Sequence, residues 1–373
     1  MEALSYEFNL ADAHTHQFQS FEQREIIQRL PEIWHASERL RQSELEDTLI
    51  KAFFELRRQP RALLTPTMLV YAASIAALIV ANLVRQRGWS VSLIHPCFDN
   101  LHQILRSSGV VTVPLAETSL HNADTLYERL VSTVQTTCLF IVDPNNPTGH
   151  TVMPGRRSGR NAFSELLRYA VDYRKVLIFD FCFAPFLIGD ERYQVRDVYA
   201  ELEDAGVTYV AIEDTGKVWP LQDAKVALLK TSRDLNSDVR NILTGYLLNV
   251  SPFILSLVAE NIRLSQRDDL QSVRTVIEAN RRALSTALND SSLRPIEPMT
   301  RVSVAWLQVV DASVTSHDIH RMALEAGVYV LPGRYFFWAR HSDGDQYVRV
   351  ALARDTEVFS RAALRLRQSL VSS

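Results

Sequence analysis

The chain has 373 residues, of which 47% are hydrophobic and 22% are charged, and its formal net charge at pH 7 is -3. This length predicts two units of unequal size, and the nearly balanced charge argues against nucleic acid or a membrane surface as a partner. No apolar run is long enough to span a membrane, and the first residues do not form a secretion signal. The three cysteines, Cys97, Cys138 and Cys182, form neither a disulfide framework nor a zinc pattern, so we expect buried thiols in a cytoplasmic protein without a metal.

The first 20 residues carry an unusual set of polar side chains for a chain terminus. Glu7, Asp12, His14 and His16 lie among apolar residues. Either this segment is a frayed polar arm, or it folds over a site and brings acids and imidazoles to it. From residue 22 to residue 56 the pattern then predicts helix, with a break at a proline.

Strands and helices alternate along the next part of the chain. The pattern predicts strands at 68–71, 91–94, 110–114, 139–142, 176–179, 209–212 and 224–229. It predicts helices that end near residues 85 and 107, and further helices at 124–133, 161–171 and 195–204. This alternation is typical of an α/β fold in which a mainly parallel sheet is covered by helices on both faces, with ligands at the carboxyl ends of the strands.

A second, smaller unit follows. Helical patterning at 251–289 precedes strands at 302–309, 328–331 and 346–352 and helices at 316–326 and 356–370. This order predicts a small α+β domain packed on the large one. We therefore expect an N-terminal arm at 1–30, a large domain at 31–275 and a small C-terminal domain at 276–373.

Three polar side chains fall at the ends of three predicted strands: Asn146, Asp180 and Lys217. A lysine held beside apolar and acidic groups can lose its proton and then acts as a base or as a Schiff-base former. Taken alone, a lysine after a strand is more often a solvated loop residue. The shared position of the three residues, at the edge where ligands bind in parallel sheets, is stronger evidence than any one of them.

Two further features are weak when taken alone. The small residues Ala73 and Ser74 open a helix, where backbone N–H groups and the helix dipole favour a phosphate, although such helix starts also serve plain packing. Arg349 lies within an apolar strand. It either points to solvent, which is the commoner case, or faces a cleft in which its planar guanidinium binds a carboxylate.

The ordered set Asn-Asn-Pro-Thr-Gly at 145–149, then Asp180, Lys217 and Arg349, resembles the fold-type I pyridoxal-phosphate enzymes of the aminotransferase superfamily, over nearly the whole chain. The resemblance implies pyridoxal 5'-phosphate as the cofactor. Lys217 would bind the cofactor aldehyde and move protons at the substrate Cα, while Asp180 would pair with the pyridinium nitrogen. Asn146 would donate to the phenolate oxygen of the ring.

The same resemblance implies the remaining contacts of the cofactor and of the substrate. Phe98 would stack on the cofactor ring. The backbone at Ala73 and Ser74, together with Lys225, would hold the phosphate. Arg349 would bind the α-carboxylate of an amino acid substrate.

Two positions depart from the pattern of ordinary aminotransferases. Phe183 replaces a tyrosine that donates to the phenolate oxygen, and Asp214 replaces a serine that contacts the phosphate. A carboxylate would repel a phosphate, so we expect Asp214 to face a cationic group of the substrate. The glycine-rich segment usual after the lysine is replaced by Val218-Trp219-Pro220.

These departures resemble a narrower group, the arginine-processing pyridoxal-phosphate enzymes of cyclic-guanidine amino acid biosynthesis, which include arginine oxidase/hydroxylases and a γ-hydroxyarginine cyclase that forms enduracididine. The matching stretches are residues 9–14, 95–100, 212–220, 331–334 and 342–345. The likeness implies that Asp12 and Asp214 bind a guanidinium and that His14 belongs to a mobile arm. Two carboxylates around a planar cation satisfy its fork of donors.

The sequence favours cyclisation of γ-hydroxy-L-arginine to L-enduracididine, with His14 or Glu7 as the acid that expels the γ-hydroxyl. The reason is that the arm of the oxidases extends farther upstream than this chain does, and a shorter lid handicaps chemistry that must exclude water. The alternative is oxidation or γ-hydroxylation of L-arginine with dioxygen. An aminotransferase is a third possibility, and a scaffold protein without activity is a fourth.

We also expect a homodimer, because related active sites are completed across a subunit interface. Residues 245–252 are the candidate segment that crosses it.

Overall fold

The computed structural model describes residues 5–155 and 161–371. Its strands are β1 Phe8–Asn9, β2 Thr67–Val70, β3 Val91–His95, β4 Thr112–Ala116, β5 Cys138–Val142, β6 Val176–Asp180, β7 Tyr209–Asp214, β8 Ala227–Thr231, β9 Leu293–Ile296, β10 Val304–Val309, β11 Val328–Tyr329, β12 Leu331–Pro332 and β13 Tyr347–Ala351. Its α-helices are α1 Phe21–Gln28, α2 Leu30–Arg39, α3 Gln42–Leu56, α4 Ala73–Gln86, α5 Asp99–Ser107, α6 Ala123–Thr133, α7 Ala162–Asp172, α8 Val198–Asp204, α9 Arg233–Thr244, α10 Pro252–Gln266, α11 Gln271–Ala287, α12 Ser316–Glu325 and α13 Thr356–Val371.

A seven-stranded sheet forms the larger part of the fold. Its strand order is β2-β8-β7-β6-β5-β3-β4, and the pairs among β3 to β7 are parallel. Every residue of β5, β6 and β7 is buried, because helices cover the sheet and leave no polar face on these central strands. The prediction of an α/β fold with a mainly parallel sheet is confirmed.

One strand runs against the others. β8 is antiparallel to both β2 and β7. A parallel neighbour needs a crossover connection, usually a helix, and the loop 215–226 that joins β7 to β8 contains none. The alternation pattern did not predict this reversal of direction, by which the chain returns to the sheet in β8 directly after the loop 215–226.

A smaller antiparallel sheet, in the order β12-β13-β10-β9, follows in the C-terminal part. Helices α11, α12 and α13 pack together beside it. The sequence did not predict β9 or α9, and the predicted strand at 328–331 is divided into β11 and β12. The two sheets agree with a large and a small unit, while the predicted domain boundaries stay a prediction.

The N-terminal segment is folded, which answers the question of a frayed or an ordered arm. β1 pairs with β11 in parallel, with Phe8 opposite Val328 and Asn9 opposite Tyr329. After β1 the chain passes along the smaller sheet, and His16 forms a bridge with Arg354. We use the name arm for residues 5–20, which precede α1.

Within residues 5–155 and 161–371, no group of three or more His, Cys, Asp or Glu side chains is arranged to hold a metal ion. None of the helices in these ranges is long and apolar enough to cross a membrane.

A buried ion pair lies under the end of β7. The Arg57 Nε and Nη2 atoms donate to the Glu213 carboxylate over 3.1 and 3.3 Å, and the Tyr199 hydroxyl donates to the same carboxylate over 3.0 Å. Burial raises the pKa of Glu213, and the guanidinium beside it opposes that shift. Arg57 therefore neutralises a charge placed directly before Asp214, and a buried carboxylate without such a partner is costly.

Replacing Arg57 by methionine should destabilise the protein by about 3–5 kcal/mol, because Glu213 is left buried without a cation. The neighbouring Arg58 is the matched control, since its partner Asp269 is exposed. We expect Arg58→Met to cost no more than about 1 kcal/mol. Urea unfolding of both variants measures the two effects, and equal losses would contradict the assigned role of Arg57.

Candidate active site

The carboxyl ends of β5, β6 and β7 meet at one edge of the large sheet. Val142 pairs with Asp180, and Asp180 pairs with Ile212, so the turn after β5, the end of β6 and the end of β7 lie side by side. The sequence predicted this meeting, since parallel strands place their carboxyl ends together. Asn146 lies in the turn after β5, Asp180 is the last residue of β6, and Lys217 lies in the loop after β7.

Lys217 lies in the loop after β7 and is only partly buried. Its position is set by Thr215, whose hydroxyl donates to the Val226 carbonyl over 2.9 Å and whose Oγ1 accepts from the Val226 N–H over 2.8 Å. Burial raises the pKa of Asp180, and the nearby Lys217 charge opposes that rise. The structure thus brings the amine and the Asp180 carboxyl into one electrostatic environment.

Arg349 points inward and not to solvent. It lies on β13, is 1% exposed, and donates through Nη1 to Asn146 Oδ1 over 3.0 Å. Nη2 donates to the Ala11 carbonyl of the arm, and the guanidinium lies 5.0 Å from the centre of the Phe336 ring. Burial lowers the pKa of Arg349 to about 10, with Asp99 and Asp12 opposing the shift, so the group stays cationic at neutral pH. Its Nε has no hydrogen-bond partner among the described residues.

A buried carboxylate that the sequence analysis missed holds the turn that carries Asn146. Glu117 Oε1 accepts from Asn145 Nδ2 over 2.6 Å and from the Thr148 hydroxyl, while His121 Nε2 lies 3.3 Å from Oε2. Glu117 is 6% exposed. No local pattern marks it, because it lies in a short polar stretch after β4 and meets the turn only in the folded chain.

Asp214, at the end of β7, is 2% exposed, and its Oδ1 has no hydrogen-bond partner among the residues that the structure describes. Gly216 is needed beside it, because a Cβ there would lie 2.7 Å from Lys225 Cδ and 3.2 Å from Asp214 Oδ2. A buried carboxylate oxygen without a donor is expensive. This oxygen is suited to a cationic ligand with N–H donors.

The arm meets the loop after β7 through a chain of charged groups. His14 Nδ1 donates to Asp12 Oδ1 over 2.7 Å, and Lys225 Nζ lies 3.0 Å from His14 Nε2 and 2.9 Å from Asp223 Oδ1. An ammonium only donates, so His14 Nε2 accepts and its proton is on Nδ1. Burial opposes ionisation of Asp12, but the donors of His14 and His16 hold the pKa of this carboxyl well below its usual range.

The arm also covers the loop by direct contact. The Thr15 hydroxyl donates to the Trp219 carbonyl over 2.5 Å, and Gln19 Nε2 donates to the Pro220 carbonyl. A cavity of about 100 Å³ remains between the arm and the loop, lined by His14, His16, Thr215, Gly216 and Lys225 among others.

Four predicted site residues take positions that refine the sequence analysis. Ala73 and Ser74 begin α4, whose first backbone hydrogen bonds start at Ile75, so within the described part of the chain their N–H groups have no backbone acceptor and can face an anion. Phe98 is partly buried at the start of α5, beyond the end of β3. The hydrogen bonds of Lys225 go to His14 and Asp223 and not to the start of α4, so its role toward a phosphate stays a prediction.

Glu7 requires a correction. Its Oε1 accepts from Arg361 Nη2 over 3.2 Å on α13, and its side chain is 57% exposed. Glu7 directly precedes β1, and its side chain lies at the surface against α13, while the neighbouring Phe8 is buried. Glu7 therefore lies outside the Lys217 edge, and the structure does not support it as an acid there.

The assembled groups fit pyridoxal 5'-phosphate. They are a lysine amine, a buried carboxyl, a side-chain amide linked to a buried arginine, an aromatic ring and two free N–H groups at a helix start. A metal centre or a nucleotide site would need a different set of donors.

Comparisons with known proteins agree with this set. A family model for aminotransferases of class I and II matches residues 9–366. The structure of MppP soaked with the product 2-ketoarginine is 34% identical, with a TM-score of 0.87, and the match covers 97% of this chain and 99% of that one. A search of curated protein sequences gave no match.

Two more distant structures share the fold. The α-aminoadipate aminotransferase LysN from Thermus thermophilus, complexed with N-(5'-phosphopyridoxyl)-L-leucine, is 19% identical with a TM-score of 0.78, and the match covers 100% of this chain and 94% of that one. The histidinol-phosphate aminotransferase from Clostridium acetobutylicum is 14% identical with a TM-score of 0.73, and the match covers 98% of this chain and 100% of that one.

Asp143 is the first residue after β5, in the turn that carries Asn146, and the pH dependence of protein stability tests its protonation state. Burial raises the pKa of its carboxyl to about 7, opposed by hydrogen bonds from Thr151 and Val152. The folded protein therefore keeps a proton that the unfolded chain loses near pH 4, so stability falls from about pH 4 to 7. The Asn side chain of Asp143→Asn cannot ionise, so the variant does not share this loss of stability. The unfolding free energy of Asp143→Asn minus that of the wild type should therefore be about 2–4 kcal/mol larger at pH 8 than at pH 5.

Urea unfolding between pH 5 and pH 8 measures this difference. Asp290→Asn, at an exposed position, is the matched control and should show the pH dependence of the wild type. A constant difference between Asp143→Asn and the wild type across this range would contradict a neutral Asp143 in the folded protein.

Proposed function

Because this chain belongs to the aminotransferase class I and II family, we propose that it acts at the Cα of an arginine-type amino acid. Its cofactor is pyridoxal 5'-phosphate. When bound, this group supplies an electron sink for the bonds at the substrate Cα. The protein supplies binding, orientation and the movement of protons.

The observation that carries the substrate class is the unpartnered, buried Oδ1 of Asp214, three residues before Lys217. A guanidinium offers five N–H donors in a plane and satisfies such an oxygen. The similar MppP structure was soaked with the product 2-ketoarginine, whose tail is a guanidinium. We infer that Asp214, together with Asp12 of the arm, binds the cationic tail of the substrate.

We assign the other roles from contacts at the same edge. Arg349, held by Asn146, binds the α-carboxylate through its free Nε and its Nη2 donors. Lys217 moves the proton at Cα, and Asp180 holds the pyridine nitrogen. The N–H groups of Ala73 and Ser74 bind the phosphate.

His14 is the group that we assign to proton transfer above the substrate. Its Nδ1–H is fixed by Asp12 and its Nε2 accepts from the Lys225 ammonium, so Nε2 is the atom that exchanges a proton, with Lys225 as the neighbouring donor. Thr15 and Gln19 hold the arm over the loop after β7, and this cover limits the access of water.

The first candidate reaction is oxidation of L-arginine. Conversion of arginine to 2-ketoarginine replaces the α-amino group by a carbonyl and removes two electrons. With dioxygen as the electron acceptor and one water molecule that supplies the carbonyl oxygen, the products are 2-ketoarginine, ammonia and hydrogen peroxide. The sequence alone favoured cyclisation, but the 2-ketoarginine described as a product in the MppP structure supports oxidation at Cα. Because 2-ketoarginine has no γ-hydroxyl, γ-hydroxylation of L-arginine stays a prediction.

Cyclisation of γ-hydroxy-L-arginine to L-enduracididine is the second candidate. The observation in its favour is the chain Lys225–His14–Asp12, since expulsion of a γ-hydroxyl needs a positioned acid and the Lys225 ammonium can supply a proton to His14 Nε2. Amino transfer is the third, and the replacement of the usual tyrosine by Phe183 and of the usual serine by Asp214 argues against it.

Product analysis tests the reaction. With L-arginine in air, the enzyme should consume dioxygen and form hydrogen peroxide and a keto acid, while Lys217→Ala should lose both turnover and the visible absorbance of the bound cofactor. A cyclic guanidine formed from γ-hydroxy-L-arginine under nitrogen would reject oxidation in favour of cyclisation. Amino transfer that depends on an added keto acid would reject both.

Substitution of Asp214 tests the substrate class. Asp214→Asn should raise the KM for L-arginine about 10- to 100-fold, because a charge-assisted hydrogen bond is lost, while the Kd for pyridoxal phosphate changes little. L-citrulline, with a neutral tail, should be affected far less. Asp223→Asn is the control, since Asp223 is exposed and pairs with Lys225. If Asp214→Asn raises the KM for L-arginine and for L-citrulline by the same factor, the proposed contact between Asp214 and a guanidinium is rejected.

We also propose that the protein is a homodimer. Leu248 is 88% exposed and Tyr246 is 55% exposed in the segment 245–252, and Phe21 after the arm is 72% exposed. Large apolar side chains exposed to this degree favour an interface. Analytical ultracentrifugation that gives twice the mass of one chain would support the dimer.

The buried free thiols agree with a cytoplasmic location, which cell fractionation checks.

A further inference from the structure

The arm is attached to one short segment of the smaller sheet through its main chain. Backbone carbonyls between residues 9 and 14 accept hydrogen bonds from donors between residues 349 and 354. Arg354 donates to three of these carbonyls, through Nε to Asn9, through Nη2 to Asp12 and through Nη1 to His14. The Ala351 N–H donates to the Leu10 carbonyl, and Arg349 Nη2 donates to the Ala11 carbonyl. The arm therefore follows the end of β13 closely.

Arg354 makes three of these contacts. Its guanidinium donates to the carbonyls of Asn9, Asp12 and His14 over 2.8, 2.6 and 2.9 Å. The side chain is 6% exposed, and it forms no ion pair with any described carboxylate. Burial lowers the pKa of Arg354 to about 10, opposed by Asp12, so it is cationic at neutral pH. A buried charge of this kind is stabilised here by carbonyl dipoles, and most of them belong to the arm.

The geometry of a guanidinium gives these contacts a consequence. Its donors lie in one plane with fixed directions, so three carbonyls that meet them have little freedom. Besides the arm, the Arg354 side chain bonds only to the adjacent Ala353 carbonyl among the described residues. The guanidinium therefore shapes the arm and contributes little to the smaller sheet itself.

The side chains of Asp12 and His14 lie on the part of the arm that Arg354 shapes. Their carbonyls face Arg354, whereas Asp12 Oδ1 and the His14 ring face each other and His14 meets Lys225 of the loop after β7. We propose that Arg354 is a positioning residue that fixes Asp12 and His14 of the arm at the substrate-binding edge. The effect of Arg354 on the substrate rests on the proposed function, whereas its effect on the arm does not.

Arg354→Gln and Arg354→Lys test this role in the enzyme loaded with pyridoxal phosphate. Arg361→Gln is the matched control, because Arg361 is an exposed arginine that touches the same arm through the side chains of Glu7 and Phe8, whereas Arg354 holds its main chain. Hydrogen exchange of a peptide covering residues 5–20 should be about 10- to 100-fold faster in Arg354→Gln. It should be intermediate in Arg354→Lys, which keeps three donors, and unchanged in Arg361→Gln.

A kinetic measurement separates positioning from loss of fold. In Arg354→Gln the preference for L-arginine over L-citrulline, as the ratio of kcat/KM values, should fall about 10- to 100-fold, while cofactor absorbance and the Kd for pyridoxal phosphate stay as in the wild type. Should Arg354→Gln fail to fold, Arg354→Lys takes its place in both measurements.

Wild-type exchange of residues 5–20 in the Arg354 variants would overturn the proposal. So would faster exchange with an unchanged preference between the two amino acids. If the wild type turns over neither of these amino acids nor γ-hydroxy-L-arginine, the proposed function fails, and the exchange measurement alone still decides whether Arg354 fixes the arm.

Discussion

The buried guanidinium of Arg349 is the group on which the site depends, because it joins three separate parts of the chain. It lies on β13 of the smaller sheet, donates to Asn146 in the turn after β5, and donates to the Ala11 carbonyl of the arm. The partners are distant from Arg349 in sequence, and Ala11 is separated from it by 338 positions. Burial of a charge is costly unless its donors are used, so these partners hold the two sheets and the arm in one arrangement.

The buried charges near the Lys217 edge fall into two groups. Glu213 is matched by Arg57 and Tyr199, and Glu117 is matched by Asn145 and Thr148. These carboxylates are satisfied within the protein and support the loops above them. Asp214, in contrast, keeps an oxygen without a donor among the described residues. The difference separates carboxylates that hold the structure from one that is available to a ligand.

The arm gives the site a character that the fold alone does not supply. Distant aminotransferases share the sheet and its edge, as their TM-scores show. Here residues 9–14 are bound through main-chain carbonyls to the end of β13, while the side chains of Asp12 and His14 bond to each other and His14 also bonds to Lys225. Main-chain attachment fixes the place of these two residues without using their carboxylate and imidazole groups, and this division agrees with the proposed contact to a cationic substrate tail.

The sequence by itself determined the α/β class, the family resemblance and the meeting of Asn146, Asp180 and Lys217, because strand alternation places these residues at one edge. Only the tertiary structure decided that Arg349 points inward, that Glu7 points away, and that Arg354 and Glu117 are buried and fully engaged. These outcomes depend on contacts between residues distant in the chain. Local patterns of polarity carry no information about such partners, whereas the folded chain brings to Arg349, Arg354 and Glu117 partners that are distant in sequence.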